Sequence, residues 1–221
     1  MRFKSDPILT TAIGVGLATG VYGISFGALS IAAGLNVWQT QLLSLLMFSG
    51  ASQFAFIGVI AAGGGVAVGA AITAAWLLGV RNGFYAVTMA PILKRTGLSK
   101  LLPAQLTIDE STAVALAQQT TQDQRKGFWA TGIAIYVLWN LATFLGAVLG
   151  DSLGDPAAWG LDAAAAAAFL GLLWPRLKDS KTILTALGAV VIATALSPIL
   201  PTGASILVAG GFAIVVAWRH K

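Results

Sequence analysis

Cysteine is absent from the 221-residue sequence, and its one histidine is His220. The first absence excludes disulfides, haem attachment and thiolate metal sites, and the second excludes a histidine metal centre or a Ser-His-Asp triad. Charge is scarce as well: 10% of residues are charged, against about 25% in an ordinary soluble domain. No Gly-x-x-x-x-Gly-Lys-Ser/Thr element occurs, so this chain alone is no nucleotide-driven motor. The net charge of +5 would suit a nucleic-acid partner. The basic residues, however, are scattered through loops and ends, with no stripe interleaved with aromatics, which argues against that class.

What the sequence has is apolar length. Hydrophobic residues make up 57%, glycine contributes 26 residues, and mean hydropathy is +0.84. No charged residue or histidine interrupts Pro7–Val80, Gly127–Gly150 or Thr182–Trp218. A bilayer-spanning helix needs about 20 apolar residues, so the chain reads as a polytopic membrane protein forming one integral domain over 1–221. No segment alternates apolar and polar residues, which points to helices and away from a barrel. The basic start, Met1 to Asp6, leads into an apolar run far longer than a signal peptide's, and reads as an uncleaved first span.

Breaks at Gly34–Gln41 and Gly63–Gly65 divide the first run. About seven transmembrane helices are predicted, at 8–33, 42–62, 66–93, 127–150, 157–175, 182–199 and 203–218, with some of them discontinuous. The positive-inside rule, applied backwards from Arg219 and Lys221, puts Arg176, Lys178, Lys181, Arg125 and Lys126 inside. Three further spans would then leave Arg2 and Lys4 outside. An additional membrane-embedded segment at 101–122 (LLPAQLTIDESTAVALAQQTTQ) removes the conflict and returns the N-terminus to the inside.

Several polar residues stand out against this background. Gly16, Gly20, Gly23 and Gly27 share one face of the first span, which suits close helix packing. The alternative is an unwound stretch at Tyr22–Gly27, which includes Phe26, whose freed backbone groups would line a substrate cavity. Ser49, Ser52 and Gln53 fall on one face by their spacing, either as interhelical glue or as cavity lining, and Gly50 and Ala51 suit a helix break. Arg81 and Asn82 lie near the middle of the third span, with Tyr85 one turn on. A mid-bilayer arginine costs about 3 kcal/mol on insertion scales, so it should face a partner or a wet cavity unless the span ends near Gly79. Asp109 and Glu110 point about 100° apart on a helix. In a surface loop they are merely solvated, and in an embedded segment they become a proton carrier or an ammonium partner. Trp139 and Asn140 are weaker candidates.

Four stretches in order, GVYGISFGALSIAAG (20–34), FSGASQFAF (48–56), VRNGFYAVTMAP (80–91) and LTIDESTAV (106–114), resemble the AzlC family, the large subunit of bacterial branched-chain amino-acid exporters. The sequence departs from the family pattern at Val21-Tyr22-Gly23, where Pro-Phe-Gly is common. It departs again at Asn82, where histidine is common, and at Ile108 and Thr112 around the acid pair. The resemblance implies an exporter of small apolar amino acids in the bacterial inner membrane, energised by the proton gradient and working with a small AzlD-type membrane subunit. No cofactor, metal or enzymatic activity is expected, given the absence of cysteine and the lone terminal histidine. For a zwitterionic substrate, Arg81 or helix N-termini near Gly23 or Gly50 suit the carboxylate. Asp109, Glu110 or broken-helix carbonyls suit the ammonium, and Phe26, Phe54, Phe84 or Tyr85 the side chain. A passive pore for small neutral solutes and a structural subunit of a heteromeric exporter remain as alternatives. A membrane-embedded enzyme is the weakest reading, because no nucleophile–base pair is apparent.

Overall fold

The computed structural model describes residues 6–152, 170, 173–174, 177–200 and 204–219, and among them every regular element is helical. In chain order these are α1 (Pro7–Ala32), α2 (Val37–Leu46), α3 (Gly50–Gly63), α4 (Val68–Leu93), α5 (Leu101–Leu106), α6 (Asp109–Leu116), α7 (Thr121–Ser152), α8 (Ser180–Leu196) and α9 (Ala204–Arg219), with single 3-10 turns at Gly64–Ala67 and Gly97–Lys100.

The spine is a parallel pair, α1 against α7. Gly16 faces Ala134, Gly20 faces Leu138, Gly27 faces Thr143 and Ala147, and Gly150 rests on Ala28, so position advances together along both helices. The backbones touch. A Cβ on Gly23 would lie 2.7 Å from the Trp139 carbonyl oxygen, and one on Gly27 would collide with the Thr143 carbonyl. Small residues permit this approach, and dispersion along the seam holds the helices together in lipid, where hydrophobic burial drives nothing. The glycine face is thus a packing face. α1 runs unbroken through Tyr22–Gly27, so of the two readings of this stretch the structure has the packing face and not the unwound alternative: the missing side chains let α7 come closer without freeing the backbone. At the start of the spine, Asp6 caps α1 through the Ile8 amide and pairs with Lys126 of α7.

α2 and α3 form a hairpin that enters from the far end of the spine. Gly34, at φ +92°, turns the chain after α1. Asn36 and Gln39 then exchange side-chain and backbone hydrogen bonds at 2.9 Å to start α2. α2 descends against α7, placing Ser44 Oγ 3.4 Å from Thr143 Oγ1 and the Leu45 carbonyl under the Tyr136 hydroxyl. The chain reverses at Met47–Ser49, and α3 climbs back until Val59 and Ile60 pack with Ala33 and Leu35. The predicted span at 42–62 is therefore two helices, beginning five residues earlier at Val37.

α4 crosses the full depth. Its first half lies antiparallel to α3, with Ala71 and Ala74 against Ala55, Val59 and Ile60. Its last carbonyls reach the opposite end, where Ile92 O accepts from Arg125 Nε at 2.7 Å. From that end α5 and α6 form a second hairpin. Leu106 of α5 packs on Gly132, the chain reverses at Thr107–Ile108, and α6 returns to lay Val114 and Ala115 on Gly127. The predicted embedded segment at 101–122 is this pair of short helices followed by the start of α7.

The stretches Pro7–Ala32, Gly50–Leu93 and Thr121–Ser152 are long and apolar enough to cross a membrane. α8 and α9 are shorter apolar helices that pair through Gly188 and Phe212 and touch the bundle through Leu207. The predicted helix at 157–175 lies outside the described residues, apart from single positions.

Candidate functional site

A broken helix leaves carbonyls and amides without intrahelical partners, and each buried orphan costs about 1–3 kcal/mol. Side chains supply most of what the first hairpin lacks. Gln105 Nε2 donates to Leu45 O at 2.8 Å and Leu46 O at 3.3 Å. The Tyr136 hydroxyl also donates to Leu45 O, at 3.3 Å. Gln53 Nε2 makes longer contacts to Leu43 O and Ser44 O, at 3.5 and 3.4 Å. In the second hairpin the Ser111 hydroxyl spans the break, donating to Leu106 O at 2.6 Å and accepting from Ile108 N at 3.1 Å. Aromatic packing fixes the first tip. Phe48 meets Tyr136 edge to face at 4.9 Å, and Phe54 stands against Phe26 and Trp139 at 5.6 and 6.3 Å.

The two tips meet midway along the spine, and a cavity of about 790 Å³ opens beside them. Its walls are mostly apolar, with Phe54, Leu77, Leu78, Ile135 and Trp139; Thr19 and Tyr22 of α1 border it, and further polar groups converge from three other elements. Ser49 and Gly50 come from the start of α3, Arg81 from α4, and Asp109 and Glu110 from the start of α6. Arg81 Nη1 stands 2.8 Å from Asp109 Oδ2, with 28% and 33% of the two side chains exposed. Arg81 Nε and Asp109 Oδ1 are buried without a partner, so the ion pair keeps one donor and one acceptor in reserve. Apolar walls with a few convergent polar groups are the usual form of a small-molecule site.

Of the residues singled out from sequence, Tyr22, Ser49, Arg81, Asp109 and Glu110 line this cavity. Ser52 and Asn82 line a second cavity of about 470 Å³, which Ser49 also borders. Gln53 is fully buried at the first hairpin's carbonyls, and Gly23 is sealed in the α1–α7 seam. Phe26 is buried beneath Phe54 and Trp139 rather than lining a cavity. Tyr85 is half-buried one turn beyond Arg81, and Phe84 is exposed on the outer face of α4. Gln105 was missed. The signal was available, because a glutamine in the apolar run LLPAQL invites the same question as Gln53. Among the described residues, no three His, Cys, Asp or Glu side chains group to hold a metal.

An all-helical membrane protein with a charged pair held at the tips of two opposed hairpins is the class this geometry defines. Within that class, the family model described as AzlC protein matches residues 14–153, and the chain belongs to the AzlC family. The match runs from the first turns of α1 to the end of α7, covering both hairpins and the spine. No curated protein and no solved structure matches the chain.

Proposed function

We propose that this chain is a secondary transporter exporting branched-chain and similar small apolar amino acids across the bacterial inner membrane. The family associates it with membrane transport of amino acids, and the Arg81–Asp109 pair in an apolar cavity is the observation that carries the finer reading. An amino-acid zwitterion carries both charges of that pair. Its carboxylate takes the guanidinium, helped by the free amides at the start of α3. Its ammonium takes Asp109 with Glu110 beside it, and its branched side chain rests on Phe54, Trp139 and Tyr22. A zwitterion replaces one charge pair with two, so neither protein charge is left unpaired in a site of low dielectric.

Energy comes from the proton gradient, with Asp109 and Glu110 as the carboxylates that exchange protons. A small AzlD-type membrane subunit completes the exporter. The test is leucine, isoleucine, valine and methionine efflux from proteoliposomes, with and without that subunit. Efflux against a gradient that collapses with a protonophore is expected. Downhill flux alone, unaffected by the protonophore, would identify a passive pore. Arg81→Ala, at normal expression, is expected to lower leucine efflux strongly, and full retention would overturn the carboxylate assignment.

A further inference from the structure

The second cavity has no place in the site just described. It lies against the first with only Phe48 and Ser49 common to both. Neighbouring residues take opposite sides of the wall between them. Ile108 lines the first cavity and Thr107 the second, and Arg81 lines the first while Asn82 lines the second. The α4 helix and the tip before α6 therefore each present one neighbouring residue to either cavity. Gln105 lines the second cavity and bonds from the second hairpin to the α2 carbonyls of the first, at 2.8 and 3.3 Å.

We propose that Gln105 is a latch: its amide holds the two hairpin tips together, and its release joins the two cavities into one path through which the substrate passes between the Arg81 side and the Asn82 side. The bond is suited to opening. Its acceptors are the last carbonyls of a broken helix, at the negative end of that helix, and water or a substrate ammonium can take the place of Gln105 there. Nothing covalent and no metal is required. Gln105 is a positioning residue, and the proposal rests on the transport reading above.

The absence of native cysteine makes the test direct. Single cysteines at Ala51, in the first cavity, and Thr107, in the second, are placed in the full chain in proteoliposomes. Each is exposed to a membrane-impermeant methanethiosulfonate reagent from either face. With Gln105 intact, Ala51→Cys reacts from one face and Thr107→Cys reacts slowly from that face. Gln105→Leu or Gln105→Glu accelerates only the Thr107→Cys reaction from that face, by about three- to tenfold, the shift one hydrogen bond commands. An unchanged rate, or equal acceleration at both positions, overturns the latch. If neither variant folds, Thr107→Cys in the Gln105 background decides: acceleration by a transported amino acid supports the latch, and a rate unaltered by it overturns the latch. Amino-acid efflux is read separately in the same vesicles. Its absence with the expected labelling removes the transport reading alone, and normal efflux with unchanged labelling removes the latch alone.

Discussion

Arg81 Nη1 lies 2.8 Å from Asp109 Oδ2, tying the middle of α4 to the first residue of α6 across a tip that would otherwise be held by hydrogen bonds and apolar contacts. Removing either partner leaves a charge facing an apolar cavity. In a double-mutant cycle, Arg81→Ala and Asp109→Ala should each cut leucine efflux, and the double variant should lose less than the sum. A coupling of about 1–2 kcal/mol is expected, since each side chain is about one third exposed and solvent weakens the pair. Additive losses would show that the two residues act independently.

The α1–α7 seam should tolerate no added carbon at its tightest points. Gly27→Ala places a methyl against the Thr143 carbonyl, and Gly146→Ala places one against the Ile24 carbonyl. Each should destabilise the detergent-solubilised protein by about 1–3 kcal/mol, as overpacking does. Gly14→Ala, where nothing lies within 4 Å, should not lower the melting temperature, since alanine is the better helix former there. The three melts together test whether the backbones are really in contact.

Asp6 predicts a pH effect. The Lys126 side chain bonded to it, followed by weaker backbone hydrogen bonds at Ile8 and Leu9, holds its pKa below the ordinary carboxylate value. A depressed carboxylate contributes stability that is complete above its unfolded pKa and is lost as pH falls through the folded one. Acidification should therefore loosen the start of the α1–α7 spine. Asp6→Asn should flatten that acid limb of the melting profile, and an unchanged limb would exclude the ion pair as its cause.

The parallel spine also fixes a topological relation. Thr11→Cys and Gln122→Cys, both exposed in the opening turns of their helices, should react with an impermeant thiol reagent from the same face. Reaction from opposite faces would rule out the parallel arrangement.

The sequence made the glycine seam legible, since four glycines at helical spacing have few other uses, and Arg81 was conspicuous against a charge-free background. Hairpins were harder to see. Hydropathy reports apolar length but not direction, so α2 and α3 together read as one span, although the chain goes in and comes back. The charge conflict at Arg2 and Lys4 followed from that. With both hairpins returning to the face they enter, only α4 crosses between α1 and α7, and Asp6 and Lys126 share an end. Lys94 follows α4 at that same end, as the positive-inside bias requires. Gln105 and the pairing of Arg81 with Asp109 depend on contacts between distant segments, which a single sequence does not display.

The partners of the first hairpin carry a consequence for how the protein is made. The Leu45 carbonyl waits for Gln105, 60 residues later, and for Tyr136, 91 residues later, while the glycine face of α1 waits for α7. During synthesis α1 to α4 therefore emerge with the hairpin's polar tip and the glycine seam both unmatched. α7 is the element whose arrival closes them. A nascent chain halted before α7 should be an open, protease-sensitive intermediate that the insertion machinery must shelter until the last strut of the core is delivered.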